Sequence, residues 1–426
     1  MERLSQTLLL CLFVSALFGQ SKLDRAEFYF SQGDYESAVR TINSNRNLAR
    51  NNDDAALLLA VCYFQLNRLD EAEQLLKRLN EGNRANFPSA WYYLGRLFHA
   101  QHRFEEAATY YKRYLRTLPN GAEERRLTIA NIRMCDNGLR HSYTPDGMVV
   151  ENLGRKVNTK DDEFGPVPSP TGAARVYFSA VRPTGAITSS EEEQSDILYT
   201  ELSGTEWQSP QPLHNYLMSP QHELLLDISP NGGELYYFRG SDELRGNYLV
   251  DTFQSGGVRQ FTTLSLEAPI SPAMGDVTPF FFSTDVIYFS GKRPGGYGGL
   301  DLYRLVRDQN GWLPPENLGP EINTPYDETT PFLAKDGRTL YYSSNNPEFT
   351  VGGFDVLKSF YLAEVGRFAR PTNPGLPLNS ASDDTHFRLA PDTFTAFLSS
   401  DRKDGIGRRD IYIVYFIDPR KEMEYE

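Results

Sequence analysis

At 426 residues, 40% hydrophobic and 13% aromatic, the chain is too long for one ordinary core and too rich in packing side chains for a disordered protein. Its formal net charge of −13 opposes nucleic acid and anionic lipid as partners, because either polyanion is repelled. Two folded domains are therefore expected.

Residues Met1 to Gly19 hold an apolar run from Leu8 to Phe18 that is too short to cross a bilayer. It reads as a signal peptide, residues 1–19, cleaved after Gly19. Cys11 lies inside that run behind Leu8-Leu9-Leu10, where a lipoprotein signal needs a small residue, so lipid attachment is rejected. Export leaves Cys62 and Cys135, too few for a disulfide framework or a cysteine metal site. No later apolar stretch approaches membrane length, so no integral span is expected.

Residues 20–140 read as a helical array. Gly33-Asp34-Tyr35-Glu36-Ser37-Ala38, Asn67-Arg68-Leu69-Asp70-Glu71-Ala72 and His102-Arg103-Phe104-Glu105-Glu106-Ala107 are one turn repeated at spacings of 34 and 35 residues. Each lies between two helical patterns, which is the unit of an α-solenoid. Trp91, Leu94 and Phe98 recur at helical spacing, and Gly95 and Ala107 are small where two helices approach. Residues 121–139 carry one more helical pattern that caps the stack. The first helix of each pair is expected to line a concave face, with Glu27, Phe30, Val61, Phe64, Tyr92, Arg96 and His99 free to meet a partner.

After a linker at 141–147 the pattern changes to short alternating strands between Gly, Pro, Asn and Asp turns, over residues 148–418, with a tail at 419–426. Glu163, Glu223, Asp276, Glu328 and Asp384 each precede a strand, at intervals of 52 to 60 residues, and aromatic strands such as Ile287-Tyr288-Phe289-Ser290 follow. That period suits four-stranded sheets arranged radially, so five acids predict five blades. The segment Asn152-Leu153-Gly154-x-x-Val157-Asn158-Thr159-x-x-Asp162-Glu163 matches Asn317-Leu318-Gly319-x-x-Ile322-Asn323-Thr324-x-x-Asp327-Glu328. The second copy follows a complete blade and the first follows none, while the chain closes on a third strand at Asp410 to Phe416. The strand from Met148 should therefore complete the last blade and remove the open sheet edges. Asn310-Gly311 is expected to form a tight hairpin before Trp312.

The Trp91-x-x-Leu94-Gly95-x-x-Phe98 pattern resembles the tetratricopeptide repeat. The segment Phe289-Ser290-Gly291-Lys292-Arg293-Pro294-Gly295-Gly296-Tyr297-Gly298-Gly299-Leu300-Asp301-Leu302-Tyr303 resembles the WD-like propeller repeat of periplasmic TolB-type proteins. The fold class expected is thus multidomain α and β, a tetratricopeptide α-solenoid followed by a closed five-bladed β-propeller. The combination resembles accessory proteins of the type IX secretion and gliding machinery, without their OmpA-like domain. The resemblance implies a periplasmic protein associated with the outer membrane.

No nucleophile elbow, phosphate loop, His-Glu-x-x-His or Cys-x-x-Cys pair occurs in the chain. Catalytic residues, metal ligands and cofactors are therefore expected to be none. His214, His222 and His386 stand apart from other ligand types, and Asp301, Asp355 and Asp410 read as turn caps that accept backbone N–H bonds. The function expected is a non-enzymatic scaffold that bridges protein partners of the cell envelope, with a glycan- or peptide-binding propeller as the alternative and a hydrolase behind it.

Overall fold

The computed structural model describes residues 21–45, 47–81, 87–141, 147–172, 174–183, 193–214, 217, 219–242, 245–252 and 263–417. The signal peptide, most of the linker and the C-terminal tail fall outside them. The chain divides into two compact units, Met1–Cys135 and Asp136–Glu426.

The first unit is helical: α1 (Lys22–Ser31), α2 (Tyr35–Asn43), a single turn α3 (Leu48–Asn51), α4 (Asp53–Gln65), α5 (Leu69–Arg78), α6 (Pro88–Ala100) and α7 (Phe104–Leu115), with α8 (Glu123–Arg140) following. Local chemistry starts four of the helices. Ser21 and Asp24 form a capping box on α1, Asp34 caps α2 at the Ser37 N–H, Asn52 caps α4 at the Ala55 N–H, and Pro88 opens α6. The repeated turn is the same turn in backbone terms, because Gly33, Asn67 and His102 all take positive φ, at 74°, 57° and 57°. Between α6 and α7 the fit is tight. A Cβ on Gly95 would lie 2.6 Å from the buried Tyr111 ring, which is why the smallest residue stands there.

The second unit opens with β1 (Met148–Asn152) and continues as four antiparallel sheets plus a fifth that β1 completes. Blade I holds β2 (Glu163–Pro168), β3 (Arg175–Pro183), β4 (Glu193–Ser203), β5 (Glu206–Trp207) and β6 (Gln211–Pro212). Blade II holds β7 (His222–Ile228), β8 (Glu234–Asp242), β9 (Arg245–Thr252) and β10 (Leu264–Ser265). Blade III holds β11 (Val277–Ser283), β12 (Val286–Gly291), β13 (Asp301–Asp308), β14 (Gly311–Trp312) and β15 (Glu316–Asn317). Blade IV holds β16 (Glu328–Leu333), β17 (Thr339–Ser344), β18 (Asp355–Leu362) and β19 (Arg367–Phe368). Blade V orders as β1-β22-β21-β20, with β20 (Asp384–Leu389), β21 (Thr395–Ser400) and β22 (Asp410–Phe416).

Five blades and the closure by β1 are as the sequence implied: β1 pairs antiparallel with β22, Val150 opposite Val414. Two details differ. The hairpin before Trp312 turns on Gln309-Asn310, because Asp308 pairs with Gly311, and β4 begins at Glu193 rather than at Asp196.

Serine, threonine and aspartate side chains stitch neighbouring blades at the centre. The Ser179 hydroxyl accepts the Leu225 N–H at 2.9 Å and Asp227 accepts the Phe281 N–H at 3.0 Å. Thr278 accepts the Thr330 N–H at 3.2 Å, Thr330 accepts the His386 N–H at 3.3 Å, and Ser399 accepts the Gly165 N–H at 3.0 Å. Every joint of the ring thus has one such bond. Farther out, the predicted matching segments build one clasp twice. The Asn158 Nδ2 donates to Ile411 O at 2.9 Å while its Oδ1 accepts the Ile411 N–H at 3.0 Å, and Asn323 does the same to Leu302 at 3.0 and 2.7 Å. A third copy runs from Asn373 to Asp384, where Asn379 clasps Val356 at 2.9 and 2.8 Å.

Candidate functional site

The helical face expected to bind is only partly open. Val61 and Phe64 on α4 are 4% exposed and His99 on α6 is 6% exposed, so these three are core residues, a correction to the sequence reading. The reason is that α4 is apolar all round: its residues from Leu58 to Phe64 are all buried, and a helix of that kind is covered on every side. Phe64 lies under the Arg96 guanidinium at 5.3 Å, and His99 meets the Tyr111 hydroxyl through Nδ1 at 3.5 Å. Glu27, Phe30, Tyr92 and Arg96 keep partial exposure. Burial, with Asp24 and Asp54 nearby, raises the Glu27 carboxyl above its ordinary range. Another face of α4 forms with α5 a surface pocket of about 320 Å³, lined by Leu59, Tyr63, Glu71, Gln74, Leu75 and Arg78. The periodicity did not reveal it.

The propeller's axis is built from the first strand of each blade. All five strands break register near their start. In four of them the residue two places after the buried acid takes positive φ: Gly165 at 63°, Thr278 and Thr330 at 49°, and His386 at 54°. For the branched threonines and the histidine this is a costly conformation, about 1–2 kcal/mol each, and such strain gathers at functional sites. Blades I, III and IV share one wording for it, Glu163-Phe164-Gly165-Pro166-Val167, Asp276-Val277-Thr278-Pro279-Phe280 and Glu328-Thr329-Thr330-Pro331-Phe332. Blades II and V depart, with Leu225-Leu226-Asp227 and His386-Phe387-Arg388.

One layer of the axis therefore reads Val167, Asp227, Phe280, Phe332 and Arg388, residues at equivalent register in the five blades. Arg388 is 8% exposed and Asp227 5%. The Arg388 guanidinium reaches from blade V to blades IV and III: Nη1 donates to Pro331 O at 2.9 Å, and the group lies 4.7 Å from the Phe280 ring and 5.5 Å from Phe332. Asp227 accepts two backbone N–H groups, Ile228 on Oδ1 at 2.9 Å and Phe281 on Oδ2. Burial pushes the Asp227 carboxyl up and the Arg388 guanidinium down in pKa, and each opposes the other's shift by its charge. His386 donates or accepts through Nδ1 with the Thr385 hydroxyl at 3.0 Å. Burial, then Arg409 and Arg388, push its pKa down to about 3, so the imidazole is neutral at pH 7 and cannot serve as a general acid.

Beside this layer, Arg409 sits 5.6 Å from the Phe164 ring, and Asp401 accepts the Asp383 N–H at 2.8 Å. Burial and the Asp401 charge push Asp383 up to about 6, with the Phe354 N–H and Arg409 opposing. Sequence reading passed over Asp227, Asp383 and Arg388 and set His386 aside. The signal that finds them is the acid-x-Gly/Thr-Pro-Val/Phe motif and the two blades that break it.

The other acids are structural. Asp301 accepts the Tyr297 N–H at 2.7 Å, Asp355 those of Val351 and Gly352 at 2.7 and 3.1 Å, and Asp410 those of Ile406 and Gly407 at 2.5 and 3.0 Å. That is the turn-cap role expected of them. Among the described residues no three His, Cys, Asp or Glu side chains converge as metal ligands.

Comparison with known proteins agrees with this division. A profile for the anaphase-promoting complex, cyclosome, subunit 3 matches residues 21–79, and a tetratricopeptide repeat profile matches residues 80–122. No curated protein sequence matches the chain. Among solved structures it is similar to TolB from Acinetobacter baumannii, at 12% identity and a TM-score of 0.36, over 70% of this chain and 71% of that one. It is also similar to the putative TolB from Agrobacterium tumefaciens, at 15% identity and 0.31, over 63% and 98%. A glycosyl hydrolase from Bacteroides ovatus matches at 11% identity and 0.38, over 62% and 85%. The chain thus joins tetratricopeptide repeats to a five-bladed β-propeller that has TolB among its structural neighbours.

Proposed function

We propose that this protein is a non-enzymatic scaffold of the cell envelope, exported to the periplasm and held near the outer membrane by its partners, in a secretion or gliding complex. The observation that carries the reading is the pairing of two recognition folds in one chain, a tetratricopeptide array and a closed propeller. The first offers Glu27, Phe30, Tyr92 and Arg96 on its open helices and a pocket between α4 and α5. The second offers a charged layer, Asp227 with Arg388, at its axis. Export rests on the Leu8–Phe18 run. A second reading, a propeller that binds a peptide in its channel, is favoured by Arg388 with its single hydrogen bond, and is compatible with the first.

The test is crosslinked capture from the native envelope with the full chain, a piece ending near Arg140 and a piece starting near Met148. Discrete envelope proteins, different for the two pieces, are expected. If neither piece recovers a protein, the scaffold reading falls and the propeller is to be screened for glycan and hydrolytic substrates.

A further inference from the structure

The two charges at the propeller axis are unequally satisfied. Both oxygens of Asp227 accept main-chain N–H groups. Arg388, with five N–H donors, makes one hydrogen bond among the described residues, although it is more than nine-tenths buried. Its Nε and Nη2 are not among the fully sealed, unpartnered side-chain atoms of the described residues, so each keeps a little solvent contact. A guanidinium so poorly matched costs free energy unless a partner reaches it. The missing partner is an acceptor, and the group that fits two adjacent guanidinium N–H donors is a carboxylate. Arg409 adds a second cation, near His386. Asp383 and Asp401 both feel the Arg409 charge, and Asp227 is the only acid in the Arg388 layer among the described residues.

The shape of the layer narrows the class of ligand. Val167, Phe280 and Phe332 hold the other three places of the layer, Val167 and Phe280 within hydrophobic cores, so apart from Asp227 the surroundings of Arg388 are apolar and lack the polar groups that a sugar's hydroxyls need. An extended peptide meets that description better than a sugar ring does.

We propose that the axis of the propeller is a carboxylate-binding site in which Arg388 takes the terminal or side-chain carboxylate of an extended peptide, Phe280 and Phe332 holding the guanidinium flat. This rests on the reading of the propeller as a partner-binding module. Its ligand is an acidic peptide although the protein itself carries a net charge of −13, so bulk charge works against binding and any affinity comes from the site.

The experiment measures fluorescence anisotropy of labelled hexaglutamate with the purified mature chain, against amidated hexaglutamine and an oligogalacturonate. Hexaglutamate is expected to bind at least tenfold more tightly than hexaglutamine amide. Arg388→Gln should weaken it at least tenfold, and Asp227→Asn, which removes the opposing negative charge, should strengthen it. If Arg388→Gln fails to fold, Asp227→Asn and the peptide comparison decide. Equal binding of the two peptides, no binding of hexaglutamate, weaker binding by Asp227→Asn, or tighter binding of oligogalacturonate each overturns the proposal. Envelope proteins captured by the propeller piece without hexaglutamate binding would sink this site and leave the scaffold standing, and the reverse result would sink the scaffold alone.

Discussion

Single positions in this propeller show what burial does to an acid. Asp276 and Asp384, at the start of blades III and V, are each met by an arginine, Arg293 at 2.7 Å and Arg402 at 2.5 Å. Glu328 holds the same place in blade IV, fully buried, with hydroxyl and N–H partners from Thr324 and Ser344 and no arginine. Burial outweighs those bonds and pushes its pKa up to about 7. A carboxyl whose folded pKa is raised stabilises the fold fully below its unfolded value and loses that contribution as pH rises through the folded one. The window here runs from about 4.5 to about 7. Glu328→Gln keeps the shape and cannot ionise. Relative to wild type, the variant is expected to gain stability as pH rises through that window and to level off above about pH 7 in guanidinium titrations, each pKa unit being worth about 1.4 kcal/mol. A difference that stays flat across that range would show that Glu328 ionises in the fold as it does in water.

Between elements, the asparagine clasp is the recurring device. Asn323 closes both the N–H and the carbonyl of Leu302, deep in β13, from the connection that follows β15. Asn323→Ala leaves the Leu302 N–H buried and unpaired, at about 1–3 kcal/mol, while the Leu302 carbonyl keeps the Leu318 N–H at 3.1 Å, and a fall in the denaturation midpoint with an unchanged slope is expected. An unchanged midpoint would mean that water replaces the clasp. Two of the three clasps were legible as the matching Asn152 and Asn317 segments. The third was hidden because Pro374, Leu378 and Ser380 replace the residues that made the match visible, although the asparagines and the bonds are the same. The helical repeat was legible through its turn, since Gly33, Asn67 and His102 occupy one backbone conformation. The open face of the array was not. Helical period says which residues share a side, and only the packed neighbours say which side is covered, as at Val61, Phe64 and His99. The axial layer escaped for the opposite reason: it lies where the repeat is broken, at Asp227 and Arg388, and a search for sameness passes over such places.

At the scale of the whole propeller, one short strand decides whether the ring is a ring. Four blades are continuous in sequence, and blade V takes its outermost strand from β1, more than 250 residues away in the chain. The bonds that flank the pairing, Leu153 N–H to Ile411 O at 3.1 Å and Ile417 N–H to Gly147 O at 3.2 Å, set the antiparallel alternation, so the Glu151 N–H points at β22. The Glu151 side chain is exposed, which separates its backbone role from any packing role. Glu151→Pro removes that donor and stiffens the strand, whereas Glu151→Ala keeps the donor. The proline variant is expected to melt lower by at least the value of one hydrogen bond, ~1 kcal/mol, a drop of ~2–4 °C in a domain of this size. The alanine variant should melt with wild type. Hydrogen exchange should then show β22 losing protection first, since it has become the edge of an open sheet. If proline and alanine behave alike, the closure does not depend on the β1 ladder. The five joints at the axis, from Ser179 to Ser399, would then hold the ring by themselves.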